Sequence, residues 1–439
     1  MKQLPEPFIT TLRNEYPTLA EAIVDGINTP PEVAINRNRS KGLEAGSDPV
    51  AWNPFGDHLA QRPVFALDPL WHIGAYYVME SASQFIAYVG LQLTKGAELR
   101  SAIDLCAAPG GKSTALLNVL PDDCVLVSNE VNKQRATVLA ENSMKWGRAN
   151  HIVTCAEVGQ FAFLNNTFDL VVVDAPCSGE GMFRKDDTAI QEWSPQNVAL
   201  CCDRQLRILD DATELVNEGG FLVYSTCTFN SAENDDQIRR LLSTSDWEVV
   251  DIETKKEWGI VKTAYGHQFF PGVTRGEGLY MAVLRKVNGQ KAGVLKKNSA
   301  KTIKNPEFEG QTIQLADQVV FSEDGDRIRA FSTEAFELTH QLKAEKIYLL
   351  KAGIEAFIRK GVQLVPSAQL ALYADFEWNH CYAMNHEEAL SFLRCQAGHK
   401  TLGKGWMLMT YNCLGVGWAK AMERRWNNGW PQPWMLRLS

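Results

Sequence analysis

At 439 residues the chain exceeds one ordinary core, so two or three domains are expected. With 45% hydrophobic and 22% charged residues it is not a disordered chain. No run of about 18 apolar residues occurs, so no membrane partner or span is expected. The charge of −8, from 44 basic and 52 acidic residues, argues only mildly against nucleic acid, because phosphate contacts need a basic surface locally.

Residues 1–95 open on a helical pattern, cross a Pro-rich point at Thr29-Pro30-Pro31, and run loop-rich to Trp71. The opening MKQLPEPFITTLRNEYP lacks the apolar centre of a secretory signal, which favours the cytoplasm. Residues 96–287 alternate β-branched runs with helical patterns. The runs are Ala102–Leu105, Val125–Ser128, Ile152–Thr154, Leu170–Val173 and Phe221–Tyr224. A helix is expected over Lys133–Trp146, ended by Gly147. Another starts on Ser194-Pro195 and buries a face through Val198, Cys202, Leu206, Leu209 and Val216. This alternation predicts an α/β, Rossmann-like parallel sheet with ligands at the carboxyl ends of its strands.

Residues 288–309 read as a basic linker. From Arg285 to Lys304 the chain holds Arg285, Lys286, Lys291, Lys296, Lys297, Lys301 and Lys304 with no acid. Residues 310–439 mix short strands and helices and end in Trp406, Trp418, Trp426, Trp430 and Trp434. The last forty residues carry Lys400, Lys404, Lys420, Arg424, Arg425 and Arg437 against Glu423 alone.

Ten cysteines show no Cys-x-x-Cys pair and no His/Cys zinc spacing, so no metal is expected and a special thiol would be a nucleophile. Four motifs follow strand ends. Asp104-Leu105-Cys106-Ala107-Ala108-Pro109-Gly110-Gly111-Lys112-Ser113 is a small-residue loop leading into a helix. A P-loop would need glycine where Cys106 stands, so the loop fits the amino-acid end of S-adenosyl-L-methionine better than a phosphate. Glu130 ends the next strand at the spacing suited to ribose hydroxyls. Asp174-Ala175-Pro176-Cys177-Ser178-Gly179-Glu180-Gly181 and Tyr224-Ser225-Thr226-Cys227-Thr228 each place a cysteine just past a strand.

One such cysteine is most simply a buried filler. Two beside a cofactor-type loop suit chemistry on cytosine, whose carbon 5 is a poor nucleophile until a thiolate adds at carbon 6. Asp174 is the candidate acid for ring nitrogen N3.

Together these motifs resemble the Fmu/Sun family of RNA cytosine-5 methyltransferases. The resemblance implies Cys227 as nucleophile and Cys177 as the thiol assisting elimination. It places Cys106, Ala107, Ala108, Pro109, Gly110, Gly111, Lys112, Glu130, Glu157 and Asp174 at the S-adenosyl-L-methionine. Two departures stand out: Ala34-Ile35-Asn36-Arg37-Asn38 replaces Ser-Ile-Arg-x-Asn, and Tyr77-Val78-Met79-Glu80-Ser81-Ala82-Ser83 replaces Tyr-x-Gln-Glu-x-Ser-Ser. The tail, Gly415–Lys420 with Arg424–Pro431, is similar to the RsmF (YebU) branch. That likeness implies an RNA-facing N-terminal segment, a PUA-like RNA-binding domain over 310–439, 16S ribosomal RNA or the small ribosomal subunit as partner, and a monomer. Transfer RNA as substrate, and a non-catalytic ribosome-assembly factor, are the rival expectations. Retention of both cysteines counts against the second.

Overall fold

The computed structural model describes residues 2–289, 301–315, 319–398 and 403–438. Lys291, Lys296 and Lys297 of the basic linker, and Lys400 of the tail, lie outside the described residues. The five β-branched runs form the parallel centre of the sheet. They are β1 (Ser101–Asp104), β2 (Val125–Asn129), β3 (His151–Cys155), β4 (Phe168–Asp174) and β5 (Val216–Thr226). Parallel pairing orders them β5-β4-β1-β2-β3. Because β1 lies between β4 and β2, connections leave it in opposite directions, which opens a crevice at the strand ends. β6 (Leu279–Lys286) extends the sheet antiparallel to β5, and β7 (Tyr348–Ala352) closes the other edge antiparallel to β3.

Side chains alternate across this sheet, and both faces are dry, as parallel strands require. Ala102, Leu126, Leu170, Val172 and Val223 pack on one face with Phe85 and Leu116. Ile103, Val127, Val171, Val173 and Leu222 point the opposite way. Four helices cover the strands: α1 (Gly111–Val119), α2 (Lys133–Trp146), α3 (Pro195–Leu215) and α4 (Thr333–Ala344). The Asn132 side chain accepts the free N–H groups of Gln134 and Arg135 at the start of α2, and left-handed Gly147 (φ 74°) ends it. Ser194 caps α3 ahead of Pro195.

The face expected for α3 is corrected by the structure. Its buried residues are Cys201, Gln205, Leu209, Ala212 and Leu215, while Val216 opens β5. The cause is Gln205, a polar side chain buried because it donates to the carbonyl of Pro176 (3.0 Å) and to Glu233 (2.8 Å). Apolar periodicity skips such a position.

Ahead of the sheet, helices Glu6–Glu15 and Ala20–Ile27 lead into a three-stranded sheet ordered Gly56–Leu59, Val33–Arg37, Tyr76–Val78. Beyond residue 310, α4 buries Phe336, Leu338 and Leu342 in the same core as Val127 and Val171. Two four-stranded sheets follow the linker, one spanning Val319–Pro366 and one spanning Cys381–Asn428. Trp418 and Trp430 are buried in this part, whereas Trp406, Trp426 and Trp434 are half-buried. Among the described residues no helix is long and apolar enough to cross a membrane.

Candidate active site

A cleft of about 990 Å³ opens at the carboxyl ends of the central strands, lined by Cys106, Lys112, Glu130, Asp174, Cys177 and Cys227 among others. The small-residue loop enters from β1. It is anchored where Ala107 donates its N–H to Asn129 (2.8 Å), Arg135 donates to the carbonyl of Ala108 (2.8 Å), and Asn142 donates to that of Pro109 (2.9 Å). Gly110 turns the chain into α1 at φ 116°, which L residues rarely adopt, and a Cβ there would meet Leu139 at 3.2 Å. No side chain caps the start of α1, so its first N–H groups stay open at the loop.

The acids differ in setting. Asp104, under the loop, is fully buried, and burial raises its pKa to about 7 against the hydrogen bond from Ser113 (2.7 Å). Glu130 is buried at the end of β2, where it accepts from the Asn132 N–H (2.9 Å) and pairs with Arg135 (3.2 Å). Glu157 is exposed on the rim, its N–H donated to Gln160 (2.9 Å). Asp174 ends β4 and pairs with Lys112 Nζ at 2.8 Å, while its other oxygen accepts from Ser225 (2.8 Å). Burial opposes the Lys112 charge, but the Asp174 carboxylate outweighs it and holds the ammonium above its ordinary range.

Across from this pair, Cys177 Sγ and Cys227 Sγ lie 3.2 Å apart, and the Cys227 N–H donates to Cys177 Sγ at 3.3 Å. The Cys227 contact, followed by burial, pushes the Cys177 thiol well above its ordinary pKa. Either sulfur can be the donor of the contact between them. Burial likewise raises the Cys106 thiol, which leaves it inert at neutral pH.

The structure thus gathers Cys106, Ala108 and Lys112 of the loop with Glu130, Glu157, Asp174 and both thiols around one cleft, whereas Ala107, Pro109, Gly110 and Gly111 are not among its lining residues. Of the two departing motifs, only Ser83 lines the cleft. Asn36 is fully buried and accepts from Asn53 (3.2 Å) and from Asn118 of α1 (3.0 Å), and Met79 packs against Gly111. Sequence reasoning missed Ser225, Glu180 and Glu233. Their only signal is position: Ser225 precedes the Thr-Cys turn, and each glutamate follows a cysteine by a few residues within a glycine- or asparagine-rich loop.

Comparison with known proteins agrees with this geometry. Residues 92–285 match the family model of the 16S rRNA methyltransferase RsmB/F, and residues 379–436 match the methyltransferase RsmF PUA domain. The ribosomal RNA small subunit methyltransferase F of Aliivibrio fischeri (strain ATCC 700601 / ES114) is 28% identical over 82% of this chain and 79% of its own. Its namesake in Shewanella sp. (strain W3-18-1) is 26% identical over 98% and 96%. Among solved structures, NSun6 from Pyrococcus horikoshii with SFG superposes with a TM-score of 0.54 at 17% identity, over 65% of this chain and 99% of that one. A methyltransferase homolog from the same organism gives 0.53 at 22% identity, over 64% and 100%. These two likenesses concern the fold. The cofactor is S-adenosyl-L-methionine, and the cleft fits it: a glycine loop with free N–H groups, a strand-end acid and room for a nucleoside lie together. The chain thus carries an RsmB/F methyltransferase domain over residues 92–285 and an RsmF-type PUA domain over residues 379–436.

Proposed function

We propose that the chain methylates carbon 5 of cytosine in 16S ribosomal RNA through a covalent bond between Cys227 and carbon 6. The observation that carries this reading is the pair of thiols 3.2 Å apart, in one cleft with the Lys112–Asp174 ion pair. A binder of RNA and cofactor needs neither thiol. The ribosomal substrate is supported by the names of the relatives, ribosomal RNA small subunit methyltransferase F, and by the matched family's description. The reading includes a monomer working in the cytoplasm.

When bound, S-adenosyl-L-methionine supplies an electrophilic methyl group. The loop Cys106–Lys112 would hold its amino-acid end, Glu130 its ribose and Glu157 its adenine, and Asp174 would contact it as well. Cys177 lies in hydrogen-bond contact with Cys227, sulfur to sulfur and through the Cys227 N–H. Cys227, losing its proton to solvent, then adds at carbon 6. A proton taken from solvent and shared between N3 and Asp174, which Lys112 and Ser225 orient, balances the charge that reaches the ring. After carbon 5 is methylated, its proton is lost to solvent, the sulfur–carbon bond breaks with its electron pair returning to Cys227, and Cys177 assists this elimination. The basic C-terminal groove, lined by Lys404, Lys420, Arg424 and Arg425 with Glu309 and Glu423, supplies phosphate contacts away from the cleft.

Cys227→Ser should abolish methyl transfer while cofactor affinity stays near wild type. Bisulfite sequencing of ribosomal RNA, from cells carrying either form or lacking the gene, reads activity and position together. Turnover unchanged in the serine variant overturns the covalent route, and an unchanged ribosomal RNA pattern in cells lacking the gene overturns the substrate.

A further inference from the structure

Behind the two thiols, the loops that carry them hold each other through buried carboxylates. Glu180, three residues after Cys177, reaches into the loop of Cys227. Its Oε2 accepts the backbone N–H groups of Phe229 (2.7 Å) and Asn230 (3.1 Å). Its Oε1 accepts from the side chains of Asn230 (3.0 Å) and Trp193 (3.0 Å). Glu233, in the loop of Cys227, reaches the opposite way. Its Oε2 accepts the Ser178 N–H (2.9 Å), next to Cys177, and the Gln205 amide (2.8 Å), while Oε1 accepts from Asn230 (2.9 Å). Asn230 Nδ2 is therefore shared by both acids. Between them Gly181 donates its N–H to the carbonyl of Cys227 at 2.7 Å, and a Cβ on Gly181 would press that oxygen at the same distance.

Glu180 is 2% exposed and Glu233 0%. Among the described residues, neither makes an ion pair. Burying two carboxylates without cations is costly even when N–H donors satisfy them, and apolar side chains would staple two loops more cheaply. What carboxylates add is direction, because each fixes several donors of the opposite loop at set distances. The two loops so joined carry the two sulfurs, which lie 3.2 Å apart.

We propose that Glu180 and Glu233 are positioning residues that hold Cys177 and Cys227 at reacting distance, an inference that rests on the two-cysteine chemistry above. The tightness of the site then depends on residues that touch neither cofactor nor base.

The test uses the full-length protein with Glu180→Gln and Glu233→Gln separately. Every contact to either carboxylate is a donor, so an amide keeps the volume but turns an NH2 group on one of them. The probe is phenylarsine oxide, which condenses with two thiols, forming two arsenic–sulfur bonds and releasing water, with arsenic remaining trivalent. Binding at this pair is the part lost in Cys177→Ala. Each variant should keep its melting temperature and cofactor affinity near wild type, yet bind the arsenical at this pair about tenfold more weakly and turn over roughly 100-fold more slowly. A folded variant with wild-type arsenical affinity overturns the proposal. Should one variant not fold, the other reads the same separation from the opposite loop. Weakened arsenical binding with unchanged methylation supports the clasp and instead overturns the two-cysteine chemistry.

Discussion

Lys112 and Asp174 are locked to each other in the cleft wall, so replacing either alone strands the other. Asp174→Asn should lower the rate of single-turnover methylation by roughly two orders of magnitude, through the lost acid and the unpaired Lys112. Lys112→Met alone leaves a partly buried carboxylate facing no cation. A double-mutant cycle should then return a coupling of roughly 0.5–3 kcal/mol in cofactor affinity or stability, and additivity would show that the pair does not act as a unit. Cys177→Ala isolates the release step. A denaturation-resistant protein–RNA adduct should accumulate on a gel and vanish in the Cys177→Ala/Cys227→Ser double variant; intact methylation without adduct would reduce Cys177 to packing. The cysteines, the glycine loop and both strand-end acids were legible because each sits at a fixed step from a strand end. Glu180 and Glu233 were not, since no local pattern says that two loops about fifty residues apart in sequence will meet (Glu180 to Phe229 spans 49).

At the scale of single elements, β1, β2 and β3 share a buried polar chain beneath the glycine loop. His151 Nε2 lies 2.8 Å from Ser128 Oγ, which donates to Ser113 (2.8 Å), which donates to Asp104 (2.7 Å). Burial drives the His151 pKa far below its ordinary value, so the folded protein keeps the ring neutral. Below pH about 6.5 the unfolded chain takes up a proton that the folded one refuses. The stability contributed at neutral pH is therefore lost as pH falls through that value. Lys351, whose pKa burial lowers to about 7, titrates in the folded state above this window. Asp104, its pKa raised to about 7, contributes with the opposite sign over the same range, so the His151 share is read as a difference. Between about pH 6.5 and 5 the wild type should lose melting temperature relative to His151→Gln, and parallel profiles would remove His151 as the cause. The five parallel strands and the capped ends of α2 and α3 were legible from alternation and cap residues. β7 was not, because a five-residue run becomes a strand only where an open sheet edge receives it. The α3 face slipped for a related reason: Gln205 is buried by partners that the periodicity of its own helix cannot show.

For the molecule as a whole, an acidic chain presents a basic groove of about 810 Å³ at its C-terminal end, lined by Lys404, Lys420, Arg424 and Arg425. Arg424 and Arg425 are exposed there, and the Arg424→Glu/Arg425→Glu pair should weaken RNA binding about tenfold and lower the salt slope by roughly one to two. A titration at several salt concentrations measures both, and an unchanged slope would mean that these arginines meet no phosphate. Charge reversal is the suitable test, because removing residues 310–439 would also strip α4 and β7 from the sheet. That shared edge has a consequence during synthesis. A ribosome releases the five parallel strands first, yet the last strand of their sheet, Tyr348–Ala352, emerges only after the linker and α4 have been made. Until then β3 presents an unpaired edge, the kind of surface that recruits stray strands. Completion of the central sheet thus waits for part of the C-terminal half, so a nascent chain carries its cleft on an unfinished sheet until Tyr348–Ala352 has been made.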